Sequence, residues 1–351
     1  MASRKRTGST ILSIRCIIPP HMLKEIAKRG SAAQQSWAWR TSTLSEQLRG
    51  QRQAFAWMAA VTPAGTKRRT VYDAGSSQGL PGRLVRGEGD PKSKDRAVNE
   101  AYDGAGATYD LYSKVFGRNS IDDRGMRLDS TVHYGRKYDN AFWNGQQMVY
   151  GDGDGELFNR FTIAIDVIGH ELTHGITQYE ADLDYQGQSG ALNESLSDVF
   201  GSLVKQWKRG QAAKDADWLI GKGLLAPGVK GKALRSMKEP GTAYDDSVLG
   251  KDPQPGHMKD YVRTEDDNGG VHINSGIPNR AFYETAIRLG GNAWVKAGKI
   301  WYVTLRDKLR PRSSFADAAR LTLATAKEIY GAGSLEQKAV LAGWAAVGIA
   351  P

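Results

Sequence analysis

The sequence predicts an α+β fold with a β-rich N-terminal half and a helical C-terminal half. Three observations lead there. Short β-prone runs punctuated by turn dipeptides crowd residues 70–158. Apolar residues at i, i+3 and i+4 spacing dominate from about residue 160. A step in charge near residue 70 sets a leader apart. Residues 1–69 hold thirteen Lys/Arg against two Asp/Glu, and the rest holds 35 against 36. The net charge of +10 therefore belongs to the leader. A near-neutral body argues against nucleic acid as its partner. The predicted organisation is a leader over 1–60, a β-rich unit over 61–184 and a helical unit over 185–351.

Taken in order, "IIPP" presets an extended entry, because proline fixes φ. "HMLKEIAKRG" then predicts a helix, and "TLSEQLRGQRQAFAWMAA" a second one ending before "TPAG". "RRTVYDAGSSQGLPGRLVRGEGD" predicts hairpins, and "DRAVNEAYDGAGATYDLYSKVF" a helix carrying aromatics. "STVHYGRKYDNAFWNGQQMVYGDGDGE" returns to strands, with Asn-Gly, Gly-Asp and Asp-Gly turns. From there helices are expected to the end, for example in "GALNESLSDVFGSLVKQWKRG" and "SSFADAARLTLATAKEIYGAG".

With 351 residues the chain can bury a large core and suits two domains. No apolar run approaches a membrane span. Arg15 interrupts the only apolar stretch near the start, so no secretory signal is read. A cytoplasmic precursor and leaderless secretion both fit. Cys16 is the only cysteine, which excludes an intramolecular disulfide.

The chemistry centres on "HELTH". Within a helix, His170 and His174 stand one turn apart on one face, where both imidazoles can reach one zinc ion. Glu171 edges the same face, suited to general-base work rather than ligation. The pentapeptide alone also fits an ordinary amphipathic helix with solvated histidines. A catalytic zinc needs a third protein ligand. Thr177 and Glu180 occupy the positions where a metzincin carries glycine and a third histidine, so that branch fails. Glu194, 20 residues after His174 in "ALNESLSD", is the better candidate. Asp198 lies one turn further, suited to orient a ligating imidazole through its other N–H.

From about residue 70 onward the chain resembles the thermolysin-like metallopeptidases. The resemblance rests on "NAFWNGQQMVYGDGDG", "HELTH", "GALNESLSDVFG", "ALRSM" and "DNGGVHINSG" occurring in the family's order. It implies the two-domain thermolysin-like fold, with the zinc helix at the cleft between the halves. It also implies that His170, His174 and Glu194 bind zinc and that Glu171 is the general base. Tyr185 and His272 would hydrogen-bond the developing oxyanion, with Asp267 fixing the tautomer of His272. Asn140, the Ala141 backbone and Arg235 would hold the substrate main chain. Phe158, Phe161, Val167, Ile220 and Leu234 would line an apolar pocket for the residue after the scissile bond. The implied activity is a zinc endopeptidase cutting proteins or peptides before bulky apolar residues. An inactive scaffold acting as a binding protein would have lost a ligand or the base, and neither is missing.

The leader resembles the short prosegment of the protealysin-like branch, through the double proline and following leucine of "IIPPHML". Pro19 and Pro20 would lay it along the cleft, with Ile17, Ile18, Met22 and Leu23 in substrate pockets. It would then be an inhibitory segment, cleaved within about residues 50–70. Cys16 is expected as a small buried hydrophobe; a thiolate on the zinc is the sharper alternative, and His21 as a temporary ligand the weaker one. Calcium is doubtful. The family's double-calcium positions read Lys205, Leu219 and Lys222, leaving Asp166 and Asp217. Another calcium loop is altered at Ala226 and Lys232. "GDGDGE" lacks the EF-hand glycine and glutamate and is read as a turn.

Overall fold

A computed structural model describes residues 15–51 and 66–350. The leader forms strand β1 (Arg15–Cys16), helix α1 (Pro20–Arg29) and helix α2 (Ala32–Gln51). Pro19 is extended, at φ −70° and ψ 151°, but Pro20 already opens α1, where its missing N–H costs nothing. Met22, Leu23 and Ile26 form the buried stripe of α1. The second helix begins eleven residues before the expected Thr43. The stretch "AAQQSWAWRTS" has no apolar periodicity to announce it, and Trp39 stays exposed. Packing of α2 against α1 supplies the order that the pattern lacks. Residues 52–60 of that expected helix lie outside the described residues, as does most of the expected cleavage region.

The β-rich half comprises β2 (Arg69–Asp73), β3 (Arg83–Arg86), α3 (Arg96–Phe116), β4 (Leu128–Val132), β5 (Ala141–Trp143) and β6 (Gln147–Tyr150). They form one sheet with β1, in the order β1-β5-β6-β4-β2-β3. The β2–β3 and β5–β6 pairs are the antiparallel hairpins the sequence predicts. β4 instead runs parallel to both β2 and β6. A parallel pair needs a long crossover, and α3 supplies it between β2 and β4. Asp95 caps α3 by accepting from the Ala97 and Val98 amides, and left-handed Gly117 ends it. β5 would be the open edge of this sheet, and the leader strand covers it.

Two long helices follow, α4 (Ile165–Tyr179) and α5 (Gly187–Arg209). Continuous helix to the end, however, is not observed. Residues 211–265 are mostly loops, with two small ladders: β7 (Leu219–Ile220) with β8 (Arg235–Ser236), and β9 (Asp245–Asp246) with β10 (Gly250–Lys251). Gly and Pro in "GKGLLAPGVKGK" break helical propagation there. Helices α6 (Asp266–Asn274), α7 (Gly276–Leu289), α8 (Ala297–Val303), α9 (Phe315–Tyr330) and α10 (Leu335–Ala345) complete the C-terminal half. One large apolar core joins both halves and includes Ile17, Ile18, Met22, Leu23 and Ile26 of the leader. No helix among the described residues is long and apolar enough to cross a membrane.

Candidate active site

Close approach of α4 and α5 builds the site. A Cβ on Gly201 would lie 2.3 Å from the Asp166 carbonyl oxygen, and one on Gly169 would lie 3.1 Å from the Gly201 Cα. Only glycines permit that contact, and it sets His170 and His174 of α4 facing Glu194 and Asp198 of α5. The Nε2 atoms of His170 and His174 lie 3.4 and 3.3 Å from the two Glu194 oxygens. All three side chains are buried, with one ligand atom of each within 4.8 Å of the others. This is the only such cluster among the described residues.

Behind the ligand atoms, His170 Nδ1 donates to Asp198 at 2.8 Å, which leaves Nε2 as the inward lone pair. His174 Nδ1 lies 2.9 Å from both Asn193 Oδ1 and Ser197 Oγ. Two imidazoles and a carboxylate, tied from behind, are a donor set that suits zinc. Burial would lower the His170 pKa, but Asp198 and Glu194 overcome it and raise it to about 9. Burial would raise Glu194, and His272, His174 and His170 hold it well below the usual carboxylate range.

Glu171 is buried beside the cluster. The Trp143 amide donates to its Oε2 at 3.1 Å, and its Oε1 has no hydrogen-bond partner among the described residues. Burial, with Glu194 adding, raises its carboxyl to about 8 against the opposing pull of His170 and Arg235. Tyr185 donates its hydroxyl to Glu194 and lies 3.2 Å from His272 Nε2. Asp267 takes the His272 Nδ1–H at 2.7 Å and the His272 amide at 3.0 Å. Asp267 and Asn268 sit in the left-handed region (φ 54° and 51°), a conformation helped by the two glycines that follow. Although burial lowers it, the His272 pKa is raised by Asp267 and Glu194.

The leader runs through this constellation. Cys16 pairs with Phe142 as β1 adds to β5. The Cys16 carbonyl lies 3.2 Å from His272 Nε2. Ile17 donates its amide to the Ala141 carbonyl at 3.2 Å, and its own carbonyl accepts from Arg235 at 3.3 Å. Ile18 donates to Asn140 Oδ1 at 3.0 Å. Each main-chain holder named from the sequence thus contacts the leader backbone. Phe158, Phe161, Val167, Ile220 and Leu234 are all buried in the core cluster that also contains Ile17, Ile18 and Leu23. The Cys16 side chain packs instead with Ala74, Tyr134, Tyr138, Phe142 and Val149, and its sulfur is not part of the metal cluster. His21 does not join that cluster either. Its Nε2 lies 3.3 Å from the Tyr244 hydroxyl, and burial lowers its pKa to about 4.

Lys205 is buried, and its ammonium reaches Asp166 at 2.9 Å, Asp217 at 2.8 Å and the Leu219 carbonyl at 2.5 Å. Lys222 lies 3.6 Å from Asp217. Asp154 of "GDGDGE" accepts three amides, from Glu156, Leu157 and Phe158, as a turn residue does. Sequence reading missed Asn193, Ser197, Tyr244 and the Trp143 amide. Asn193 and Ser197 flank Glu194 in the quoted motif and were within reach. Tyr244 and the amide carry no local signal.

Models of the thermolysin metallopeptidase catalytic domain and alpha-helical domain match residues 62–178 and 181–349. The chain belongs to the thermolysin metallopeptidase family. This thermolysin-family chain is 57% identical over 308 residues to the extracellular metalloprotease of Pectobacterium carotovorum, covering 88% of this chain and 89% of that protein. It is 56% identical over 287 residues to protease PrtS of a Photorhabdus species, covering 81% and 77%. The solved precursor of protealysin from Serratia proteamaculans superimposes with a TM-score of 0.89 at 55% identity, covering 96% of this chain and 100% of that one. The thermolysin-like fold follows, and so does the activity: a zinc metalloendopeptidase made as a precursor.

Proposed function

We propose that this peptidase cleaves protein chains on the N-terminal side of bulky apolar residues and that its own leader holds it inactive. His170, His174 and Glu194 would hold zinc, which supplies a Lewis acid for the scissile carbonyl and acidifies water. The remaining work falls to side chains. Glu171 takes the proton of the attacking water and gives it to the leaving amine. Tyr185 and His272 donate to the oxygen on which charge develops. Asp267 favours the protonated His272 ring, so that Nε2 has a hydrogen to give. Asn140 and the Ala141 carbonyl align the substrate backbone along the β5 edge. Arg235 binds the carbonyl on the leaving side, and the pocket of Phe158, Phe161, Val167, Ile220 and Leu234 selects the apolar side chain there.

Zinc chemistry rests on the meeting of two buried imidazoles and a buried carboxylate beside a second buried carboxylate, one oxygen of which has no hydrogen-bond partner among the described residues. The leader takes the hydrogen bonds that a substrate backbone would need, which supports its role as a competing peptide. The three oxygen partners of the Lys205 ammonium group, two carboxylates and a carbonyl, are of the kind that hold a cation, so we further propose that calcium contributes little here. The test is metal content and casein hydrolysis of the purified protein, with and without chelator. Glu171→Ala should retain zinc and lose hydrolysis, and His174→Ala should lose zinc. Full activity in Glu171→Ala, or no zinc in the wild type, overturns the assignment.

A further inference from the structure

Asp198 is the meeting point of the site, and its four hydrogen bonds are fully allotted. Oδ1 accepts from His170 Nδ1 and Arg235 Nη2, each at 2.8 Å. Oδ2 accepts from Arg235 Nε and Asn279 Nδ2, again each at 2.8 Å. A carboxylate offers about four lone-pair positions, so each oxygen is filled by two donors. Three of those donors belong to groups already placed in the site, a zinc ligand and the arginine on the substrate carbonyl. The fourth belongs to Asn279.

Asn279 is completely buried in the first turn of α7. Its Oδ1 has no hydrogen-bond partner among the described residues, although an unmade buried bond is costly. The amide is therefore held in this place for its donor alone. The same segment serves both sides of the site. His272, near the end of α6, and Asn279, in the first turn of α7, are seven residues apart; the first reaches Tyr185 and the second reaches Asp198. A neutral donor is also the right chemistry. Arg235 already offsets the Asp198 charge, and a further cation would leave His170 without a carboxylate of full strength behind it.

We infer that Asn279 is a positioning residue for the peptidase reaction. By filling the last lone pair of Asp198 it prevents the carboxylate from rotating. Rotation would pull on two groups at once, the imidazole that holds the metal and the guanidinium that holds the substrate carbonyl. Removal of Asn279 should then weaken zinc binding and raise KM together, although it touches neither zinc nor substrate.

The inference rests on the assignment of His170 and Arg235 above, and the experiment keeps the two separable. Zinc affinity is measured by chelator competition on the full-length Glu171→Ala precursor, where no self-digestion occurs. Asn279→Leu and Asn279→Ala are compared in that background. Leucine keeps the volume and removes the donor, whereas alanine leaves space for a water that can replace it. Outer partners of metal ligands are worth 10–100-fold in affinity, so we expect about a tenfold loss for Asn279→Leu and a smaller one for Asn279→Ala. In the otherwise wild-type enzyme, KM for peptides extending beyond the cut should rise more in Asn279→Leu than in Asn279→Ala. A packing role predicts the reverse order, with alanine worse and zinc affinity unchanged in both, and that result overturns the inference. If either variant fails to fold, Asn279→Ser supplies a smaller donor whose zinc affinity should fall between wild type and leucine. Zinc bound at wild-type strength by all soluble variants also refutes it. Loss of zinc from His174→Ala, measured alongside, tells whether the ligand assignment itself stands.

Discussion

At the residue scale the site is a set of buried charges, each with an assigned answer. Glu171 has one oxygen tied to the Trp143 amide and the other without a partner among the described residues, an arrangement that fixes the carboxylate yet leaves it a working face. General-base groups typically contribute 10²–10⁴-fold, so Glu171→Ala should lower kcat by roughly a thousandfold while the melting curve hardly moves. A stopped assay on casein and a thermal melt check both halves. Lys205 shows the cost of charge more directly. It is buried, and Asp166 and Asp217 reverse the lowering that burial imposes and raise its pKa. Lys205→Ala leaves Asp166 as an uncompensated buried carboxylate and should destabilise by about 3 kcal/mol. With Lys205 present, melts in calcium and in a calcium-selective chelator should coincide. A large upward shift with calcium in the wild type would refute the idea that ammonium stands where a cation is needed.

At the element scale His133 ties three pieces together. It follows β4 directly in a left-handed conformation (φ 55°), and its ring reaches Asp152 at 2.9 Å and the α3 cap Asp95 at 2.7 Å. The hydrogen bond to Asp152, aided by Asp95 and opposed by burial, raises its pKa to about 9. A raised folded pKa contributes stability that is complete below the unfolded value of about 6.5 and is lost as pH rises through 9. Melting temperatures should therefore fall between pH 6.5 and 9 more steeply in the wild type than in His133→Asn. Asparagine is chosen because it tolerates the left-handed backbone. Equal slopes would mean that the imidazole is not charged in the fold.

At the scale of the whole molecule the leader is a clamp across both halves. On the β side Ser45 meets the Tyr138 hydroxyl at 3.1 Å and Gln34 meets Glu156 at 3.0 Å. On the helical side Lys24 meets Asp266 at 2.7 Å, and His21 meets Tyr244. The Glu171→Ala precursor should stay full length, whereas the wild type should shorten by the mass of the leader, as read by mass spectrometry. A separately made leader should inhibit the mature enzyme. Its docked His21 has a pKa lowered to about 4, chiefly by desolvation; Asp267 and Glu25 pull upward, and His272 and Arg235 downward. Docking is then strongest above about pH 6.5 and weakens as pH falls towards 4, by up to about tenfold per unit. The inhibition constant should rise between pH 7.5 and 5.5 for the native leader and stay flat for a His21→Asn leader. Parallel curves would remove His21 from the explanation.

Much of this was legible in the residues themselves. Spacing alone placed His170 and His174 on one face, and the charge step at about residue 70 separated leader from body. Turn dipeptides marked the β5–β6 hairpin. Such features are local: they depend on helical and strand periods, on turn chemistry, or on charges that can be counted along the chain. The early start of α2, the parallel setting of β4 and the loops of 211–265 were not legible, because distant packing and crossover connections decide them. The same holds inside the site. Asn279 reads as any helical asparagine until α7 is laid against α5, and Cys16 as a possible ligand until pairing with Phe142 turns its sulfur into an apolar cluster and its carbonyl to His272. Sequence determines which groups a chain can offer. Only the tertiary contacts, which join residues up to 256 positions apart, decide which partners they meet.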